Sequence, residues 1–225
     1  MYEKYFKRVI DIICALAAVI VFLWLYVIVA LLVRVKLGSP VIFRQARPGL
    51  GGKIFYLYKF RSMTNECDEY GNLLPDDMRL TTFGKFLRNT SLDELPEAFN
   101  ILKGEMSVIG PRPQLVRDMV FFTDEQMKRQ SVRPGLSGLA QISGRNGITW
   151  EEKLDFDLEY IKNITFLGDV KIIFLTVWRA FVKQDGISQE GMGTAEDLGD
   201  YLLRTGKVTE KEYEEKQRES LSLMK

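Results

Sequence analysis

Asp93 and Glu94 stand side by side in the run Ser91-Leu92-Asp93-Glu94-Leu95-Pro96. Adjacent carboxylates at a helix start can ligate a metal or supply a nucleophile. The positive end of the helix dipole keeps a carboxylate ionised and favours an arriving phosphate. The same residues also fit a structural pattern, because Ser91 followed three residues later by Glu94 forms a capping box. The two roles are compatible. A set of basic residues sits on glycine- and proline-rich stretches: Lys59, Arg61, Arg88, Arg112 between Pro111 and Pro113, Arg133 before Pro134-Gly135, and Arg145 after Gly144. Proline fixes backbone angles, so Pro111-Arg112-Pro113 presents its guanidinium from a stiff loop. The planar fork of arginine suits bidentate phosphate binding. Carboxylates beside such cations are the inventory for chemistry on phosphates, which needs positioning and charge neutralisation more than acid/base work.

Other chemistries are excluded. The 225 residues contain no histidine, so there is no Ser-His-Asp triad and no His metal site. The two cysteines, Cys14 and Cys67, are far apart and form no structural zinc motif. Neither GxxxxGK[ST] nor GxGxxG occurs, so the anion site is not a P-loop or a Rossmann turn. Lys and Arg total 31 against 30 Asp and Glu, a net charge of +1, which argues against nucleic acid as a partner.

The elements that must position these groups segregate strongly. Residues 12–33 are 22 uncharged residues without Pro or Gly. As a helix they would extend roughly 33 Å, enough to cross a bilayer core. Lys4, Lys7 and Arg8 precede this run, a larger basic group from Arg34 to Arg61 follows it, and no acid occurs between Asp11 and Glu66. Both flanks therefore ask for the cytoplasmic side. A re-entrant helix, bent or shallow, meets that demand, and a straight span is the alternative. The basic stretch would lie on anionic phospholipid headgroups. Residues 41–46 and 53–60 read as strands joined by the turn-rich 47–52 segment. Further along, 64–79 reads as a polar excursion, 82–87 as a short helix, and 91–102 as an apolar-periodic helix ended by Gly104. The segment 107–113 reads as a rigid loop, 123–130 as a polar helix and 132–147 as loop. Helices follow at 149–163 and 166–183. The last, with Trp178 and Phe181 on a wide apolar face, suits either a core or a membrane interface. The region from 185 carries 10 acidic and 6 basic residues and reads as a solvated, partly helical appendage.

Three stretches together resemble the bacterial sugar transferase domain, the monotopic phosphoglycosyl transferases. They are KFRSM at 59–63, SLDELPEAFNILKGEMSVIGPRP at 91–113 and RPGLSGLAQISGR at 133–145. The likeness runs from Tyr2 to about Gln184. It implies an α/β fold: a membrane-embedded, re-entrant helix (1–37), a small mixed α/β cytoplasmic catalytic domain with amphipathic interfacial helices (38–184), and the tail (185–225). It implies transfer of a phosphosugar from a UDP-sugar to undecaprenyl phosphate with Mg²⁺, releasing UMP. The site would face the cytoplasm at the bacterial inner membrane. The start MYEKYFKR and the run from Gly147 to Thr176 resemble the minimal members of N-linked glycosylation, whose sugar is N,N′-diacetylbacillosamine. By the same resemblance Asp93 is the nucleophile that forms a phosphosugar-aspartyl intermediate, and Glu94 assists the lipid phosphate. Asp93 and Glu94 are also the implied Mg²⁺ ligands. Arg112, Gln141 and Arg145 would hold the nucleotide, and Lys59 and Arg88 the acceptor phosphate. Downstream glycosyltransferases are implied partners. One departure stands out: where the family carries a helix-breaking Ser-Pro, this chain has Leu23-Trp24. Two other activities also fit the residues: a membrane-docked scaffold, and a Mg²⁺-dependent phosphatase on polyprenyl diphosphates.

Overall fold

The computed structural model describes residues 1–144, 148–182 and 196–224, the side chains of 180–182 excepted. Arg145 and Phe181 therefore lie outside the described side chains.

A π-helical turn (Tyr2–Phe6) leads into α1 (Lys7–Val21), and α2 (Leu23–Lys36) leaves it at 65°. The break falls at Phe22, whose φ of −99° and ψ of 13° leave the helical region. No proline causes it; tertiary packing on each side does. Ala15 of α1 joins Phe55, Leu57, Ile101 and Met106. Val29, Val33 and Leu37 of α2 join Phe60 and Leu87. The Tyr26 hydroxyl donates to the Leu95 carbonyl at 2.6 Å. These anchors lie in two separate apolar clusters, and a straight helix would not serve both. Among the described residues no single helix is long and apolar enough to cross a membrane; the bent pair together meets that requirement by length and composition only.

The antiparallel hairpin of β1 (Ile42–Pro48) and β2 (Ile54–Phe60) runs in register from Ile42 opposite Phe60 to Pro48 opposite Ile54. The excursion that follows carries a short α3 (Asp76–Arg79), then α4 (Thr82–Asn89). The continuous helix expected over 91–102 is absent. A 3₁₀ turn (Leu92–Glu94) and Pro96 precede α5 (Glu97–Lys103), which Gly104 ends in the left-handed region. Pro96 cannot sit inside a helix, and Ser91 itself is left-handed (φ 54°) and makes no capping bond. The capping box is therefore not formed; Glu94 is engaged by tertiary partners instead.

The segments read as loops at 107–113 and 132–147 contain a parallel pair, β3 (Ser107–Ile109) and β4 (Gly135–Ser137). Glycines permit this approach: a Cβ on Gly110 would lie 2.5 Å from the Arg133 carbonyl oxygen, and one on Gly135 2.1 Å from the Gly110 nitrogen. Between them lie α6 (Val116–Met119) and α7 (Asp124–Met127); after them come α8 (Leu139–Ser143), α9 (Trp150–Lys162) and α10 (Phe166–Val182). Ile109, Ile142, Tyr160 and Ile172 form the core there. The C-terminal α11 (Leu198–Arg204) and α12 (Glu210–Leu223) are helical and for the most part exposed, and they are anchored to the rest of the chain at a few points. Leu198 and Ser220 are buried, and Tyr213 stacks on Phe121. The overall class is mixed α/β with small sheets, as the sequence implies. Many large apolar side chains stay exposed on the outer faces of α1, α2 and α10, among them Ile13, Leu16, Trp24, Phe174 and Trp178.

Candidate active site

Four elements converge around Glu94. Lys59 is carried near the end of β2, and α5 is fixed against that strand by Asn100, which is fully buried. The Asn100 amide accepts from the Tyr58 N–H at 3.0 Å and donates to the Tyr56 carbonyl at 2.7 Å. This satisfies a strand edge and sets the face bearing Glu97 opposite Lys59. Lys59 Nζ then lies 2.7 Å from Glu94 Oε1 and 3.2 Å from Glu97 Oε1. Arg112 Nη2 reaches the same Glu94 oxygen at 2.7 Å. The Arg112 loop is held by its backbone: Arg129 donates to the Arg112 carbonyl at 2.7 Å and Arg47 to the Pro113 carbonyl at 2.8 Å. Arg129 is itself locked to Asp157 in a pair that is 2% exposed on both sides.

Asp93 is buried, and among the described residues no hydrogen bond reaches its carboxylate. Burial, with the Glu94 charge added, pushes its pKa up to about 6, against the opposing pull of Lys59, Arg88 and Arg112. Glu94 goes the other way. Burial raises it, but Lys59 and Arg112 outweigh burial and hold it far below the ordinary carboxylate range. Glu97 is raised to about 7, chiefly by burial. Glu94 in turn raises the Arg112 guanidinium. Adjacent carboxylates are thus pushed apart in acidity, one kept firmly ionised by cations and the other left bare and poised near neutrality. Such separation marks residues with different roles.

The structure brings Asp93, Glu94, Lys59 and Arg112 together. Arg88, in the last turn of α4, donates to Ser62 Oγ at 3.0 Å and lies close enough for its charge to favour ionised Asp93. Gln141 is on α8, its amide N and O without hydrogen-bond partners among the described residues, and no hydrogen bond described joins it to the dyad. Arg145 falls outside the described residues. Sequence reasoning missed Glu97, Asn100, Arg47 and Arg129. The spacing of Glu94, Glu97 and Asn100 at intervals of three was the available signal, since it puts polar groups along one helical face.

A divalent cation fits the dyad in part. Among the described residues no three carboxylate or thiol groups converge as a ready-made cage. Mg²⁺ is usually held by one or two carboxylates with substrate phosphates and water. The bare Asp93 carboxylate and the second oxygen of Glu94, which accepts no described hydrogen bond, supply that number.

Residues 2–183 match the bacterial sugar transferase family. The uncharacterized sugar transferase EpsL of Bacillus subtilis is 52% identical over 164 residues, covering 73% of this chain and 81% of that protein. A UDP-glucose:undecaprenyl-phosphate glucose-1-phosphate transferase of Klebsiella pneumoniae is 42% identical, covering 80% of this chain and 41% of its own length. A UDP-N-acetylgalactosamine-undecaprenyl-phosphate N-acetylgalactosaminephosphotransferase of Aeromonas hydrophila is 39% identical, covering 77% and 43%. This chain thus spans less than half of the latter two proteins. With a match over residues 2–183, most of its length, the chain belongs to the bacterial sugar transferase family.

Proposed function

We propose that this chain moves a sugar phosphate from a UDP-sugar to undecaprenyl phosphate, releasing UMP, at the cytoplasmic face of the bacterial inner membrane. The observation that carries the reading is the bare, buried Asp93 carboxylate beside a Glu94 clamped by Lys59 and Arg112. An ionised Asp93 oxygen attacks the β-phosphorus of the donor. The bond from that phosphorus to the bridging oxygen breaks, and UMP leaves with the oxygen. The sugar phosphate stays on Asp93 as a mixed anhydride. An oxygen of undecaprenyl phosphate then attacks the same phosphorus, freeing the carboxylate and forming the polyprenyl diphosphate sugar. A carboxylate does not approach a diphosphate without charge neutralisation. Arg112 and Lys59 contribute two positive charges, and Arg88 lies near enough to add a third. Asp93 and Glu94 would hold Mg²⁺, which when bound neutralises the diphosphate. The covalent step lets one anion site serve two phosphate substrates in turn.

The exposed apolar faces of α1, α2 and α10 support a seat in the bilayer, with the bent pair entering and leaving one leaflet. That depth suits an acceptor whose prenyl tail stays in lipid. The donor sugar rests on the loops at 61–80 and 132–148. N,N′-diacetylbacillosamine stands beside glucose and N-acetylgalactosamine as a candidate.

The test is UMP release by the full chain in lipid nanodiscs with Mg²⁺ and these UDP-sugars, with and without undecaprenyl phosphate. A roughly stoichiometric burst without lipid and sustained release with it supports the reading; Asp93→Asn abolishes both. Release of inorganic phosphate from a polyprenyl diphosphate, with no UMP from any donor, overturns it.

A further inference from the structure

The segment after residue 195 lies beyond the family match, which ends at 183. It nevertheless touches the machinery from behind. Asp118, 2% exposed, is a joint with two sides. Its Oδ2 accepts from the N–H of Leu115, three residues after Arg112, at 3.1 Å. Its Oδ1 accepts from the N–H of Leu198 at 2.9 Å. Arg117 pairs with Asp197 alongside. A second set of contacts reaches the start of α9, directly after the stretch that carries Arg145. There Trp150 Nε1 donates to the Glu196 carbonyl at 3.2 Å, Tyr201 donates to Glu151 at 2.9 Å, and Lys207 pairs with Glu151. The packing is close. A Cβ on Gly199 would lie 2.7 Å from the Phe121 ring and 3.1 Å from that of Tyr213, and those two rings stack at 6.0 Å.

We propose that residues 196–213 are a clasp that positions the Arg112 loop relative to α9 and so sets the affinity of the site for the nucleotide of its donor. The inference rests on the function proposed above. The physical reason is the shared acceptor. With Leu198 withdrawn, one oxygen of a buried carboxylate loses its partner. Asp118 then turns toward water and releases the Leu115 N–H. The Arg112 carbonyl keeps Arg129 and the Pro113 carbonyl keeps Arg47, but the chain beyond Pro113 loses its anchor. Positioning losses of this kind appear as weaker binding.

The test uses the full chain in nanodiscs with UDP as the probe, titrated calorimetrically in the presence of Mg²⁺. Gly199→Val and Tyr213→Ala are compared with wild type, each also in an Arg112→Ala background. Hydrogen exchange is followed over 110–118 and over the β1–β2 hairpin. Each clasp variant is expected to weaken UDP about fivefold, one hydrogen bond's worth. Exchange speeds up over 110–118 and not over the hairpin, and neither variant weakens UDP further once Arg112 is alanine. A merely structural role would instead add its cost in both backgrounds and raise exchange everywhere; that result overturns the proposal. So does undiminished UDP affinity in a variant whose 196–213 segment exchanges freely. If Gly199→Val does not fold, Tyr213→Ala decides by the same criteria. Wild type that binds no UDP would instead defeat the proposed function.

Discussion

The bare Asp93 carboxylate should be visible in the pH dependence of the first half-reaction. Without lipid acceptor, the burst of UMP depends on attack by ionised Asp93, and no acceptor phosphate titrates in the assay. With a pKa pushed up to about 6 in the metal-free site, the ionised fraction rises from about one-tenth at pH 5 to about nine-tenths at pH 7, roughly a tenfold gain in rate at limiting Mg²⁺. Glu97, raised to about 7, titrates in the same interval, so the profile is taken in Glu97→Gln, where one carboxylate is left to report. The causes of the shift supply a second arm. Glu94 contributes a like charge to Asp93. Glu94→Gln therefore lowers the amplitude and moves the residual midpoint to lower pH. Lys59→Met removes an opposing charge and moves it to higher pH. Rapid-quench single turnovers between pH 5 and 8 measure both. A flat profile, or a midpoint that ignores both substitutions, would refute the assignment of Asp93 as the attacking group.

Other expectations follow from the same geometry. Asn100→Leu leaves the Tyr58 N–H and Tyr56 carbonyl without their partner, costing about 2 kcal/mol; urea denaturation should show it, together with reduced UMP release. Arg129→Met strands Asp157 in a dry site and costs about 3 kcal/mol, while the paired replacement Arg129→Met/Asp157→Leu recovers most of the stability but not the placement of Arg112. Glu97 gives a stability signature of defined sign. Unfolded, it gives up its proton near its ordinary value of 4.5, whereas folded it keeps it to about 7. Rising pH across that window therefore favours unfolding, and Glu97→Gln should remove that part of the slope in denaturation curves. A cysteine introduced at position 2 should resist labelling from the periplasm in intact cells; labelling there would rule out re-entry.

The hairpin was legible because both strands carry β-rich apolar runs around a glycine-rich turn, and Gly104 marked a helix end by its left-handed backbone. The dyad and its cations were legible as residue types; Arg112 does sit on a stiff loop, whereas Lys59 lies on β2 and Arg88 in α4, not on loops. The capping box at Ser91 was a sound local reading that lost to stronger tertiary bonds, since Lys59 and Arg112 both claim Glu94. The β3–β4 pair was invisible because strands of three residues have no periodicity and depend on a partner distant in sequence. Glu97 and Asn100 fall within the segment read as an apolar-periodic helix, and their three-residue spacing marks a shared face. Only the packing of α5 on β2 turns that face inward, and spacing alone does not say which way it points. The tail's acidity concealed its few anchor points, Leu198, Gly199 and Ser220, for the same reason.

The bend at Phe22 bears on how the protein is made. No proline writes it into the helix, and its anchors, Phe55, Leu57, Phe60, Leu87, Leu95 and Ile101, all emerge from the ribosome after α2. In the bilayer seat proposed above, residues 12–33 therefore meet the membrane as an unbroken apolar segment, before anything exists to fold them back. On that reading their orientation is settled late, by the domain that closes on them. Release at residue 37 and release after that domain would then leave the two helices in different topologies.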